Sequence, residues 1–205
     1  YGNLYIYFEA EPGSQPIKPS TIISACGKAF YQKSDNPISF RLKTSLRALN
    51  ELTSSNSGSY HIGIIAVHNQ KVLFANTKDI KIFLARSNKA SLISTSGKDS
   101  FNEITEGRIN PGDRLLMTGP TLAGSLGDKN IGNLACLKEL SDIEPMLKRS
   151  IKLPEAIPYS LIVVETQQNI IDKPKNEDKN VTENKAMSNG NKKSFPVLMF
   201  GKIIS

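Results

Sequence analysis

The chain has 205 residues, 39% of them hydrophobic, and its 26 lysines and arginines against 19 acidic residues give a formal charge of +7. That length and apolar share suit one domain with a real core plus extra segments. The basic residues are scattered without interleaved aromatics, which argues against a nucleic-acid partner. The two cysteines, Cys26 and Cys136, argue against a zinc motif or a disulfide framework and for a reducing, cytoplasmic setting; a single long-range bridge between them stays open.

Leu4 to Phe8 reads as a strand of aromatic and branched residues, closed by the turn-forming EPGSQP. Ser20 or Thr21 can cap a helix through TIISACGKAFYQK, with Ile22, Ala25, Cys26, Ala29 and Phe30 on one face. Pro37 opens a second helix, striped by Phe40, Leu42, Leu46 and Leu49. After the break TSSNSGS come strand patterns at YHIGIIAVHN, KVLFANT, IKIFLAR and ASLIST, with hairpin turns at His68–Lys71 and Ser87–Lys89. The turn Pro111-Gly112-Asp113 leads into a short apolar run, Arg114 to Thr118. Residues 122–133, LAGSLGDKNIGN, read as a Gly-rich connection, and a helix is expected near 135–151, interrupted or restarted at Pro145. YSLIVVETQ is a further strand. Residues 169–194 are polar, mixed in charge and free of aromatics, the composition of a disordered linker. Both ends read as cut from a longer chain. Residues 195–205 turn apolar again and are expected to start a further element, or an anchor giving membrane attachment beyond Ser205. No run approaches the ~20 apolar residues of a membrane helix. Helices grouped apart from hairpin-forming strands indicate α+β layering.

Residue chemistry alone yields no credible active site, and no catalytic residue is assigned. His61 and His68, seven apart on one strand, fall on opposite faces and read as strand-edge polar residues. Glu9 and Glu11 alternate at a strand end, where carboxylates either hold a hard cation or solvate a turn. Asp79 sits where a turn needs a polar residue anyway. The loop serines Ser14, Ser57 and Ser125 lack the setting of a nucleophile.

Taken in order, these segments resemble a bacterial PPM-type (type 2C) protein phosphatase domain in degenerate form. That family carries a strand ending in a VADGMGG-like motif, two helices, a hairpin with NVGDSR, an L..GD.LLL.SDGL segment, and a DN.T entry to the last core strand. Here LYIYFEAEPG, LFANTKDIKIFLAR, FNEITEGRINPGDRLLMTGP and IPYSLIVVET occupy those places, from about Gly2 to Glu165. The resemblance implies a PPM/type 2C phosphatase-like αββα four-layer sandwich, two antiparallel sheets flanked by helices, over residues 1–168. Active members hold two Mg or Mn ions in a carboxylate cluster that activates a bridging water. By the same resemblance, Glu9 and Asp79 are residual metal positions, whereas Gly119 and Ile157 stand where aspartates are lost. Ala10, Lys78, Pro120 and Pro158 also depart from the pattern.

With two anionic ligands gone, the resemblance implies no metal cofactor and a pseudophosphatase. Its expected role is that of a scaffold or recognition module for a protein or phosphoprotein, with Lys78 and Lys81 as anion contacts. Two rival readings remain. One is an active Mg/Mn-dependent Ser/Thr phosphatase whose ligands are divergent, drawn from Glu11, Asp79 and Asp128. The other is a cytoplasmic structural domain of a membrane-anchored protein.

Overall fold

A computed structural model describes residues 2–15, 17–32, 35–94, 97–101, 103–151 and 160–166, together with the backbone of 197–201. Alternation in the strands decides the layering. In β2 (Tyr60–His68), Ile62, Ile64 and Ala66 face one way, while Gly63, Ile65 and Val67 face the other, and all six are buried. A strand buried on both faces must lie between two apolar layers. β2 pairs with β1 (Asn3–Ala10) on one side and β3 (Lys71–Asn76) on the other; β6 (Thr105–Arg108) completes this sheet in the order β1-β2-β3-β6. The second sheet runs β5-β4-β7-β8-β9, from Lys89–Leu92, Lys81–Arg86, Arg114–Thr118, Ser160–Glu165 and Val197–Gly201. Every neighbouring pair is antiparallel. Val197–Gly201, within the apolar segment read as the start of something further, adds to this same sheet.

Three apolar clusters match three layer contacts. α1 (Pro19–Tyr31) and α2 (Ile38–Ser54) cover the outer face of the first sheet through Ile22, Cys26, Phe30, Leu42 and Leu49. Between the sheets lie Tyr7, Ile65, Phe74, Ile82, Met117 and Ile162. Outside the second sheet, α3 (Pro120–Ala135) and α4 (Ile143–Ser150) bring Leu122, Ile131, Leu134 and Leu147 against Leu116 and Val163. The result is the expected αββα sandwich. Gly63 permits the sheets to meet closely, since a Cβ there would lie 2.4 Å from Met117 Sδ.

Local expectations fail where packing overrides composition. The Gly-rich stretch 122–133 is helix, because burial of Leu122, Leu126 and Ile131 outweighs its glycines. Gly127 supplies the cost-free kink, with φ at 74°. The helix expected from 135 begins only at Ile143, after a 3-10 turn at Leu140–Asp142. Pro145 lies in its first turn, where its missing N–H has no partner to lose. α1 starts at Pro19, with Lys18 rather than Ser20 or Thr21 at its cap. Phe40 is 51% exposed, and Arg41 and Ser45 share the buried stripe of α2 instead. Both cysteines are free, so no long-range bridge forms. Among the described residues no helix is long and apolar enough to cross a membrane. Residues 169–194, Ile157 and Pro158 lie outside the described residues.

Candidate functional site

β1, β2 and β7 finish or begin at one end of the sandwich, and there Glu9 meets the first turn of α3. Tyr7 and Glu9, two apart on β1, share the face turned toward the second sheet. The Tyr7 hydroxyl donates to Glu9 Oε2 at 2.5 Å. The Thr121 N–H donates to Glu9 Oε1 at 3.2 Å, and the Thr121 hydroxyl donates to the same oxygen. Gly119 is the N-cap of α3 and brings no side chain to its free N–H groups, so Glu9 performs the capping from another layer. Burial, and then the charge and hydrogen bond of Glu9, push the Tyr7 phenol far above its ordinary value. Tyr7 is therefore a permanent donor and Glu9 the acceptor.

Gly119 is necessary to this arrangement. An added Cβ would sit 2.2 Å from Glu9 Oε2 and 2.6 Å from the Tyr7 hydroxyl. Its φ of −95° is open to any residue, so the constraint is space alone.

A second cluster stands beside the first. His61, the cross-strand neighbour of Glu9, is 4% exposed. Its Nε2 lies 3.1 Å from Glu11, its Nδ1 lies 3.2 Å from the Lys78 carbonyl, and Asp79 is 3.8 Å away. This His is thus an organising residue of the site rather than a strand-edge polar one. Lys78 pairs with Asp99 at 2.9 Å and stands 3.9 Å from Glu11. The hydrogen bond to Asp99, followed by that carboxylate's charge, raises the Lys78 pKa. Lys81 pairs with Asp128 at 3.4 Å. Both expected anion contacts thus already hold carboxylates.

No family model matches the sequence, and no curated protein matches it. Solved structures do. The serine/threonine phosphatase PstP/Ppp of Mycobacterium tuberculosis superposes with a TM-score of 0.55 at 10% identity, covering 82% of this chain and 92% of that chain. A phosphatase from Toxoplasma gondii gives 0.57 at 9% identity, over 81% of this chain and 78% of its own. The PPM Ser-Thr phosphatase MsPP of Mycobacterium smegmatis, in complex with cacodylate, gives 0.50 at 10% identity, over 72% and 90%. The fold is that of the PPM-type phosphatases.

A PPM-type metal centre demands several oxygen ligands converging in near-octahedral order. The described residues do not fit that demand. Of the carboxylates at the positions the resemblance marks, Glu9 already accepts hydrogen bonds from Tyr7 and Thr121, and Asp79 faces His61 in the other cluster. Among the described residues, no group of three or more His, Cys, Asp or Glu side chains is arranged to hold a metal ion. The structure brings Glu9 and Gly119 together, and Asp79 lies against His61, the cross-strand neighbour of Glu9. Tyr7 and Thr121 were missed by the sequence reading. Tyr7 carried a usable signal, its i, i+2 spacing to Glu9; Thr121 carried none short of the tertiary fold.

Proposed function

We propose that this PPM-like domain is catalytically inactive and serves as a protein-binding or scaffold module. It needs no metal cofactor and works in a reducing, cytoplasmic setting. One observation carries the reading: Glu9 is held by Tyr7 and the first turn of α3, and the space a ligand at position 119 would need is filled by Glu9 itself. A carboxylate satisfied by fixed N–H and O–H donors gains little by exchanging them for a cation that then lacks its other ligands. The contact face we assign is the end carrying Glu11, His61, Lys78 and Lys81. A phosphoprotein partner fits there if its phosphate displaces Asp99 or Asp128 from the lysines.

The test is a pair of measurements on the purified chain. With Mn²⁺ present, hydrolysis of a phosphate-ester substrate should stay at the uncatalysed rate. The melting temperature should not move with Mn²⁺, whereas a site filled a hundredfold over its Kd would add about 2.7 kcal/mol. Turnover that vanishes in Glu9→Ala overturns the proposal.

A further inference from the structure

At the opposite end of the second sheet, one β7 length from Gly119, the structure holds an open-sided cavity of about 500 Å³. It lies between the β4–β5 turn, the turn entering β7 and the chain leaving α3. That volume is within the ~300–1,000 Å³ range of small-molecule sites. Arg86, Arg114 and Lys138 line it with Asp113, and Glu165 pairs with Arg114 at 2.5 Å, so one positive charge, that of Lys138, is left over. Asp113 is already neutralised: Arg86 Nε donates to both of its oxygens at 3.0 and 3.1 Å, Arg86 Nη2 donates at 2.6 Å, and the Asn110 N–H donates at 2.7 Å.

The cationic groups are not equally satisfied. Among the described residues, Arg86 Nη1 has no acceptor and Lys138 has no ion-pair partner. Arg114 is 6% exposed. Its Nη1 donates to the Leu137 and Ala135 carbonyls and its Nη2 to Glu165, yet its Nε is buried with no acceptor. Arg114 is thus a fixed, ion-paired part of the cavity wall, and Arg86 Nη1 and Lys138 are the cationic groups left open to a ligand. The Ser87–Asn88 turn, left-handed at φ of 51° and 59°, adds small polar side chains to the rim.

We propose that this cavity binds a small oxyanion, a phosphate or carboxylate group, with Arg86 Nη1 and Lys138 Nζ donating and Arg114, held by Glu165, forming the wall behind them. The inference does not rest on the reading of the Glu9 end. Planar guanidinium groups suit both kinds of oxyanion, so the two sources share one chemistry.

Cys136 supplies the probe, because it is half-buried and lines the cavity. Cys26 is fully buried, and burial pushes its thiol up to about 12, so a thiol reagent reports on Cys136. The full chain is labelled at fixed ionic strength with inorganic phosphate, pyrophosphate or citrate, each up to about 10 mM, which fills a site of millimolar affinity. Saturable slowing of Cys136 labelling is expected. Protection by the phosphates alone assigns a phosphate ligand, by citrate alone a carboxylate, and by both the shared site. Lys138→Glu and Asn88→Asp each alter an exposed side chain, and Asp tolerates the left-handed turn. Each should raise the half-protecting concentration about tenfold with an unchanged melting temperature. No saturable protection by any of the three anions overturns the proposal. So does equal protection in both variants, or loss of protection in Lys78→Ala instead.

Discussion

Replacing Gly119 by alanine tests the interlocking of Glu9 and α3 with a single methyl group. The backbone there is extended and accepts alanine without strain, so the whole effect is steric. The new Cβ starts 2.2 Å from Glu9 Oε2 and 2.8 Å from Tyr7 Cε1. Ordinary contact needs more than an ångström of retreat by the carboxylate, and that breaks the 2.5 Å hydrogen bond from Tyr7. Losing a hydrogen bond to a charged group costs about 1.5–3 kcal/mol, and overpacking alone costs about 1–3 kcal/mol. Glu9 is half-buried and can relax toward solvent, so the two terms overlap and we expect about 2–4 kcal/mol in all. Urea unfolding should show a lowered midpoint with an unchanged slope, since the exposed surface on unfolding is the same. In a Glu9→Ala background the clash with the carboxylate is gone while that with the buried Tyr7 ring stays, so the same change should cost about 1–2 kcal/mol, and the shortfall from the parent value measures the coupling between the two positions. If Gly119→Ala unfolds within about 0.5 kcal/mol of the parent, the steric argument is wrong.

Tyr7→Phe keeps the ring and deletes the donor; a loss of about 1.5–3 kcal/mol is expected in the same assay, and a neutral result would show that Glu9 does not depend on Tyr7. Cys26 links stability to alkaline pH. Its pKa is raised from an unfolded value near 9 to about 12, so its contribution is complete below pH 9 and is lost as pH rises toward 12. The deficit of Cys26→Ala relative to the parent should therefore shrink by about 1.4 kcal/mol per pH unit above 9, and a constant deficit refutes it. Among the described residues, Arg86→Ala leaves the buried Asp113 carboxylate with the Asn110 N–H alone. Because the Arg86 side chain is 44% exposed, about 2 kcal/mol is expected rather than the larger cost of a fully buried pair. Gly63→Ala drives a methyl against Met117 and should lower the melting point by the equivalent of about 1–3 kcal/mol.

Strong periodicity made most of the fold legible. The continuous apolar runs of β2, β7 and β8 mark strands buried on both faces, and the spacing in α1 says which of its faces is buried, before any pairing is known. β6 was invisible because TEGR is exposed along its whole length and only its pairing with β3 makes it a strand. α3 was hidden by three glycines whose intrinsic cost is overruled by the leucines and isoleucine it buries. The candidate site divides the same way. Glu9, Asp79 and Gly119 could be marked from segment order, but the partners that define their chemistry come from other layers. His61 reaches Glu11 and Asp79 only once β1 and β2 are in register and the β3–β4 turn folds over them. Lone histidine spacing holds no trace of that.

The sandwich is fastened at both ends by polar groups that cross between its layers. Glu9, on the first sheet, grips the helix that follows β7, and Arg86, on the second sheet, donates to the Arg108 carbonyl on the first at 3.1 Å. The apolar filling between them attracts without preferring a direction and would tolerate one sheet sliding over the other. Directional bonds at the two extremities fix the relative alignment that a greasy interior leaves loose. Loss of either fastening should therefore appear first as lateral slippage between sheets, seen as broadened resonances from Ile65, Phe74 and Met117, well before the chain unfolds.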